Sequence, residues 1–166
     1  KRIGTVLSYG LFHKRILKEL YPGIMHLFIF WGILFLLIGT VLIFLQEDFT
    51  RLVFNKVFIQ GSFYLTFSFI LDLFGLLAII GVLLAAFRRY ILKPERLDNK
   101  LEDAIGLCLI FLVLVTGFTN EGVRIAITRP DFERYSFVGW EISKLFSSSE
   151  QAVTSLKTVP VIGWWF

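Results

Sequence analysis

Few side chains in this sequence can do chemistry, and three sets of them fall inside apolar runs. His26 stands near the start of Gly23 to Leu45, GIMHLFIFWGILFLLIGTVLIFL, a run with no formally charged residue. Tyr64, Ser68 and Asp72 recur at i, i+4 and i+8 in a second run, and Glu121 and Arg124 lie at i and i+3 in a third. An imidazole in a membrane helix is costly to desolvate and is a functional candidate: it either bonds a carbonyl or water at the interface or binds a metal, here the iron of a haem. Asp72 lies roughly 15 Å below the end of its helix, a depth at which a carboxyl is expected to be protonated or paired. It can pass protons to or from a quinone headgroup, or hydrogen-bond a neighbouring helix. Glu121 and Arg124 can pair with each other across one turn, or contact a haem propionate or a quinone.

The elements that must position these groups follow from composition. The chain is 56% hydrophobic and 17% aromatic, with a mean hydropathy of +0.74 and 18% charged residues, against about 25% charged in a soluble domain. This places it among membrane proteins. A net charge of +4 and a pI near 9.3 do not point to nucleic acid, because the bases form no single patch with interleaved aromatics. They sit in short loops between apolar runs, where they set topology. The single cysteine, Cys108, cannot build a disulfide, a zinc site or a cysteine-ligated cluster, and reads as a small buried hydrophobe. No paired catalytic carboxylates, serine–histidine pattern, phosphate loop or metal-ligand cluster is present, so hydrolysis and phosphoryl transfer lack their parts.

In order, residues 1–22 form an amphipathic basic approach, with Lys1, Arg2, Lys14, Arg15 and Lys18 against Glu19, and Pro22-Gly23 breaks the pattern. Spanning helices are predicted over 23–45, 62–87 and 101–127. Gln46, Glu47 and Asp48 are expected to end the first, Lys93-Pro94 the second and Arg129-Pro130 the third. Residues 131–157 form an external loop with a surface helix around Val138 to Phe146, and 159–166 read as the start of a fourth span, with Trp164 and Trp165 at the interface. The fold class is thus all-α, a polytopic transmembrane bundle, and the chain reads as part of a longer polypeptide. The approach segment and the 88–103 loop, the latter with Arg88, Arg89, Lys93, Arg96 and Lys100, are the more basic side and are expected to be cytoplasmic. On the first helix, Ile33, Leu37, Thr40 and Phe44 fall on or near the His26 face, while Gly32 and Gly39 share another that admits a neighbouring helix. His13 lies in the basic approach and reads as a surface residue.

The three blocks PGIMHLFIFWGILFLLIGT, GSFYLTFSFILDLFGLLAIIGVLLAAFRRYILKP and TGFTNEGVRIA together resemble a known family. They are similar to the nitrate-reductase-gamma-like cytochrome b membrane domain of heterodisulfide-reductase-like iron-sulfur oxidoreductases, in the branch of the electron-transfer flavoprotein:(methyl)menaquinone oxidoreductases. The resemblance implies a quinone-linked enzyme carrying haem b, with [4Fe-4S] clusters in residues beyond this chain. Its partners would be an electron transfer flavoprotein, menaquinone, the lipid bilayer and an iron-sulfur domain on the same or another chain. It also implies residence in a bacterial cytoplasmic membrane. The family's ligand histidine falls on His26, and its partner is expected just past Trp164-Trp165-Phe166. The gamma subunit's further histidines correspond to Phe30 and Thr40, so its haem arrangement does not carry over whole. Glu121 and Arg124 match the family's third block, which sets a cofactor or quinone role for them level with a local ion pair. The rival readings are a haem-free anchor for an iron-sulfur oxidoreductase and a gamma-type cytochrome b subunit of another respiratory complex. A transporter is also a rival, but the inverted repeat it predicts is not evident.

Overall fold

An apolar run in hydrocarbon has no water to satisfy its backbone, so its N–H and C=O groups must bond within the segment, which makes it a helix. The computed structural model describes residues 19–54, 59, 61–94, 100–128 and 134–147, and these form four helices with no strand among them. Helix α1 is Leu20–Phe44, followed by wider π-type turns over Leu45–Arg51 and a last turn at Leu52–Phe54. Helix α2 is Gly61–Phe87 with a π-type extension at Arg88–Leu92, α3 is Leu101–Thr128 and α4 is Phe137–Ser147. Three segments, Leu20–Thr50, Gly61–Leu92 and Leu101–Ile127, are long and apolar enough to cross a membrane. The chain is an all-α transmembrane bundle. The amphipathic approach over 1–18, His13, Lys56, Arg96, Arg129-Pro130 and the start of a further span at 159–166 lie outside the described residues.

Two boundaries differ from the sequence expectation. Helix α1 begins at Leu20, ahead of Pro22-Gly23, because a proline in the first turn removes an N–H that has no intrahelical acceptor. The ladder starts with Gly23 N–H donating to Glu19 O at 3.0 Å. At the other end, helical turns run past Gln46, Glu47 and Asp48 rather than stopping there. The Gln46 side chain does not break the helix; its Oε1 accepts from Ile59 N–H at 2.6 Å and so ties the return of the chain to the end of α1. Gly61 opens α2 at φ 58 with no atom within 4 Å of where a Cβ would be, so glycine is there for its backbone freedom. Lys93, at φ 41, closes the α2 extension by donating its N–H to Arg88 O at 3.1 Å, and Pro94 follows.

Helix association in lipid depends on close van der Waals packing and hydrogen bonds, which favours small residues at the seams. A Cβ on Gly32 would lie 2.5 Å from Ala78 Cβ and 2.7 Å from Phe74 O, and one on Gly81 would lie 2.8 Å from Ile29 Cγ1. Gly39 meets Leu71 in the same way, so both Gly32 and Gly39 line the face of α1 that takes α2. Phe35 and Phe74 stack across this seam at 3.8 Å, and Tyr21 Oη donates to Leu84 O at 3.0 Å. The fully covered centre, Ala78, Val82 and Leu114, belongs to α2 and α3, with Ile29 and Leu36 of α1 packed against it. Gly75 of α2 admits Phe118 of α3, whose Cζ stands 2.8 Å from the Cβ position.

Helix α4 forms where a surface helix is expected. Two reciprocal glycines seat it on the end of α3: Gly122 faces Ile142, and a Cβ on Gly139 would lie 2.9 Å from Glu121 Cγ. Its outer side exposes Glu141, Lys144 and Leu145. The antiparallel order puts the start of α1, the end of α2 and the start of α3 at one end of the bundle. At the other lie the end of α1, the start of α2, the end of α3, and α4.

Candidate functional site

Helical spacing places Tyr64, Ser68 and Asp72 on one face of α2, and the tertiary structure turns that face toward α3 and α4. Asp72 is 1% exposed and Ser68 is also buried. Asp72 Oδ2 accepts from Val138 N–H at 2.7 Å and from Gly139 N–H at 3.4 Å, two amides in the first turn of α4. Ser68 and Ser136 share a hydrogen bond between their hydroxyls, and Ser136 Oγ donates to Glu121 Oε1 at 3.0 Å. The Glu121 carboxyl also faces that of Asp72. One turn outward, Arg124 Nη2 lies 4.0 Å from Glu121 Oε1 and donates to Tyr64 Oη at 3.3 Å. The structure thus brings Asp72, Glu121 and Arg124 into one network that joins α2, α3 and α4. Asp72 is its deepest member, and Glu121 and Arg124 are half-buried near the surface.

Ser136 and the start of α4 are the members that the sequence reading missed. The available signal was Ser136 directly before Phe137-Val138-Gly139-Trp140, since serine preceding an apolar helical stretch is a common N-cap pattern.

His26 does not join this network. Its imidazole is exposed on the flank of α1 that also carries the exposed Ile33 and Leu37, and its ring lies 6.4 Å from that of Phe30 at an interplanar angle of 12°. The start of α1 packs beside the end of α2, whereas Gly39 packs beside Leu71. At about 1.5 Å per residue, His26 and Asp72 are therefore roughly 20 Å apart along the bundle. Charged groups gather at the His26 end: Arg88 Nη2 stands 4.0 Å from Glu19 Oε2, and Arg89 pairs with Asp103. Among the described residues no group of three or more His, Cys, Asp and Glu assembles. Cys108, expected to be buried, is exposed on α3, because its flank of that helix meets neither α2 nor α4.

The fold and site define an α-helical membrane domain with an imidazole on an apolar flank at one end and a buried polar network at the other. Over its whole length the chain is 33% identical to part of a protein named EtfAB:quinone oxidoreductase from Syntrophomonas wolfei subsp. wolfei, covering 24% of that relative. It is also 34% identical, over 69% of its length, to a dihydromethanophenazine:CoB–CoM heterodisulfide reductase subunit of Methanosarcina barkeri, covering 44% of that protein. The Methanosarcina acetivorans counterpart is 34% identical over 70% of the chain and covered to 45%. The chain thus spans less than half the length of these relatives, which are named as an oxidoreductase and as reductase subunits. No protein-family model matches it, and no solved structure does.

Proposed function

We propose that this chain is a membrane haem b module of a quinone-linked oxidoreductase. It would hand electrons from a cytoplasmic flavoprotein and iron-sulfur donor to menaquinone. The observation that carries this reading is the similarity of the entire chain to part of a protein named for EtfAB and a quinone. The donor would be an electron transfer flavoprotein, with [4Fe-4S] clusters on an iron-sulfur domain outside this chain. The basic end of the bundle, with the approach segment and the 88–103 loop, would face the cytoplasm of a bacterial cell.

The residues suit such a group. An imidazole on an exposed apolar flank is the donor that a b-type haem takes, and Ile33 and Leu37 beside it offer the apolar surface a macrocycle needs. His26 would be the residue of this chain that holds it. When bound, haem supplies one-electron chemistry that no side chain here offers. The chain's own residues fix the ligand on a helix, present an apolar flank beside it and provide the polar groups at the far end. There, Arg124 N–H and Tyr64 O–H are the donors suited to a quinone carbonyl, and the half-buried Glu121 is the carboxyl that lies beside them. The distance from His26 favours a quinone over a propionate of the same haem as the contact of Glu121 and Arg124.

His26→Ala in the full-length protein is expected to abolish the reduced-minus-oxidised b-type spectrum while the protein still inserts in the membrane. A normal haem spectrum in that variant overturns the ligand assignment. Purified wild type without a Soret band favours the haem-free anchor.

A further inference from the structure

The local cap of α4 is diverted. Ser136 stands where a serine hydroxyl ordinarily accepts from the first free amides of its own helix, but its Oγ donates to Glu121 Oε1 and bonds the Ser68 hydroxyl. The amides of Val138 and Gly139 go instead to Asp72 Oδ2, reaching across from α2. A carboxylate at a helix N-terminus is also favoured by the helix dipole. Asp72 is fully covered and deepest in the network, with no route to a ligand except through its neighbours. Glu121 is differently placed: its side chain is 27% exposed, beside Arg124 at 31%.

We propose that the two carboxyls have separate tasks. Asp72 is a positioning residue that caps α4 from another helix and so holds Ser136 over Glu121, while Glu121 is the group that exchanges protons with the quinone. The second half rests on the quinone reading; the first does not. Reducing a quinone to a quinol takes two electrons and two protons. The electrons come from the reduced flavoprotein proposed as donor. The O–H bond of Glu121 breaks as its proton bonds to a quinone carbonyl oxygen, and water at the α4 end restores the proton for a second transfer. The groups facing Glu121 are Asp72 and, through Arg124, Tyr64 from α2, Arg124 from α3 itself and Ser136 from the start of α4. Glu141 and Lys144 of α4 pair with each other on its exposed side.

The test uses the full-length protein, with amide exchange read over residues 136–147 and turnover measured in membrane vesicles with reduced flavoprotein and 2,3-dimethyl-1,4-naphthoquinone as acceptor. Asp72→Ala is expected to lower exchange protection of that segment about tenfold, the equilibrium equivalent of a lost cap. Val138→Pro deletes the shorter bond from the other side, at a first-turn position where proline is tolerated, and is expected to expose the same segment. Asp72→Asn keeps an oxygen acceptor. It should retain most of the protection, lower turnover by about threefold or less, and leave the pH profile of turnover in place, whereas Glu121→Gln lowers turnover about 100-fold and flattens that profile. Wild-type protection in both Asp72→Ala and Val138→Pro overturns the positioning role. A pH profile altered as much by Asp72→Asn as by Glu121→Gln overturns the division of tasks. If wild type fails to reduce the naphthoquinone at all, the quinone reading and the Glu121 half fall together, and the exchange data alone decide the role of Asp72.

Discussion

The two ends of this bundle are made from the same three spanning helices, yet they present their chemistry in opposite ways. At the His26 end, the imidazole projects from an apolar flank of α1 that faces away from α2. At the α4 end, Tyr64, Ser68, Asp72, Glu121, Arg124 and Ser136 form a buried to half-buried network of hydrogen bonds and one ion pair that takes in the amides of Val138 and Gly139 and joins three helices. A donor on an apolar outer surface suits a bulky group added from outside the chain. A buried network is committed by its own folding, and because a partly satisfied polar cluster is costly in low dielectric, it also fixes where its helices sit. One end is thus specified by what it offers, the other by what it already holds.

The largest expected effect is the loss of haem absorption in His26→Ala, which should leave the α4 end intact. If amide exchange over 136–147 changed as well, the two ends would not be independent. Next is Gly32→Leu, which drives a side chain into Ala78 and the Phe74 carbonyl on the seam that carries both ends. Overpacking of this kind costs about 3 kcal/mol and should lower thermal stability in detergent, with haem content and exchange protection falling together. A smaller effect is expected from Tyr64→Phe and Arg124→Gln, each costing about 1 kcal/mol. Measured as a double-mutant cycle, the pair should be non-additive, since the two side chains share one bond at 3.3 Å; strict additivity would show that the network does not act as a unit. The smallest is Lys144→Ala, which removes an exposed ion pair with Glu141 and should change stability by less than about 0.5 kcal/mol.

The three spans were legible because hydrocarbon imposes one demand on every residue in them. Twenty or so apolar residues in a row can satisfy their backbones only as helices, so Gly61–Phe87 and Leu101–Thr128 fall close to where hydropathy puts them. Helical periodicity also separated the Gly32–Gly39 face from the His26 face, and the first of these does take α2. Boundaries were less legible. At the headgroup level, polar residues are solvated whether or not the helix continues, so Gln46-Glu47-Asp48 did not act as a stop, and Pro22 was harmless in a first turn. Cys108 shows the same limit: an apolar run does not say which of its flanks meets protein.

The sequence by itself determined the helices, their alternating direction and the stripe of Tyr64, Ser68 and Asp72, since these depend only on local hydrogen bonding and a repeat of 3.6 residues. Only the tertiary structure decided what the stripe faces. Contacts between α2 and α4 join residues more than sixty positions apart, and no periodicity within either segment encodes that Ser136 bonds Glu121 or that Asp72 receives the amides of Val138 and Gly139. Those pairings follow from close approach at Gly122 and Gly139, where the missing side chains let α4 settle against the end of α3.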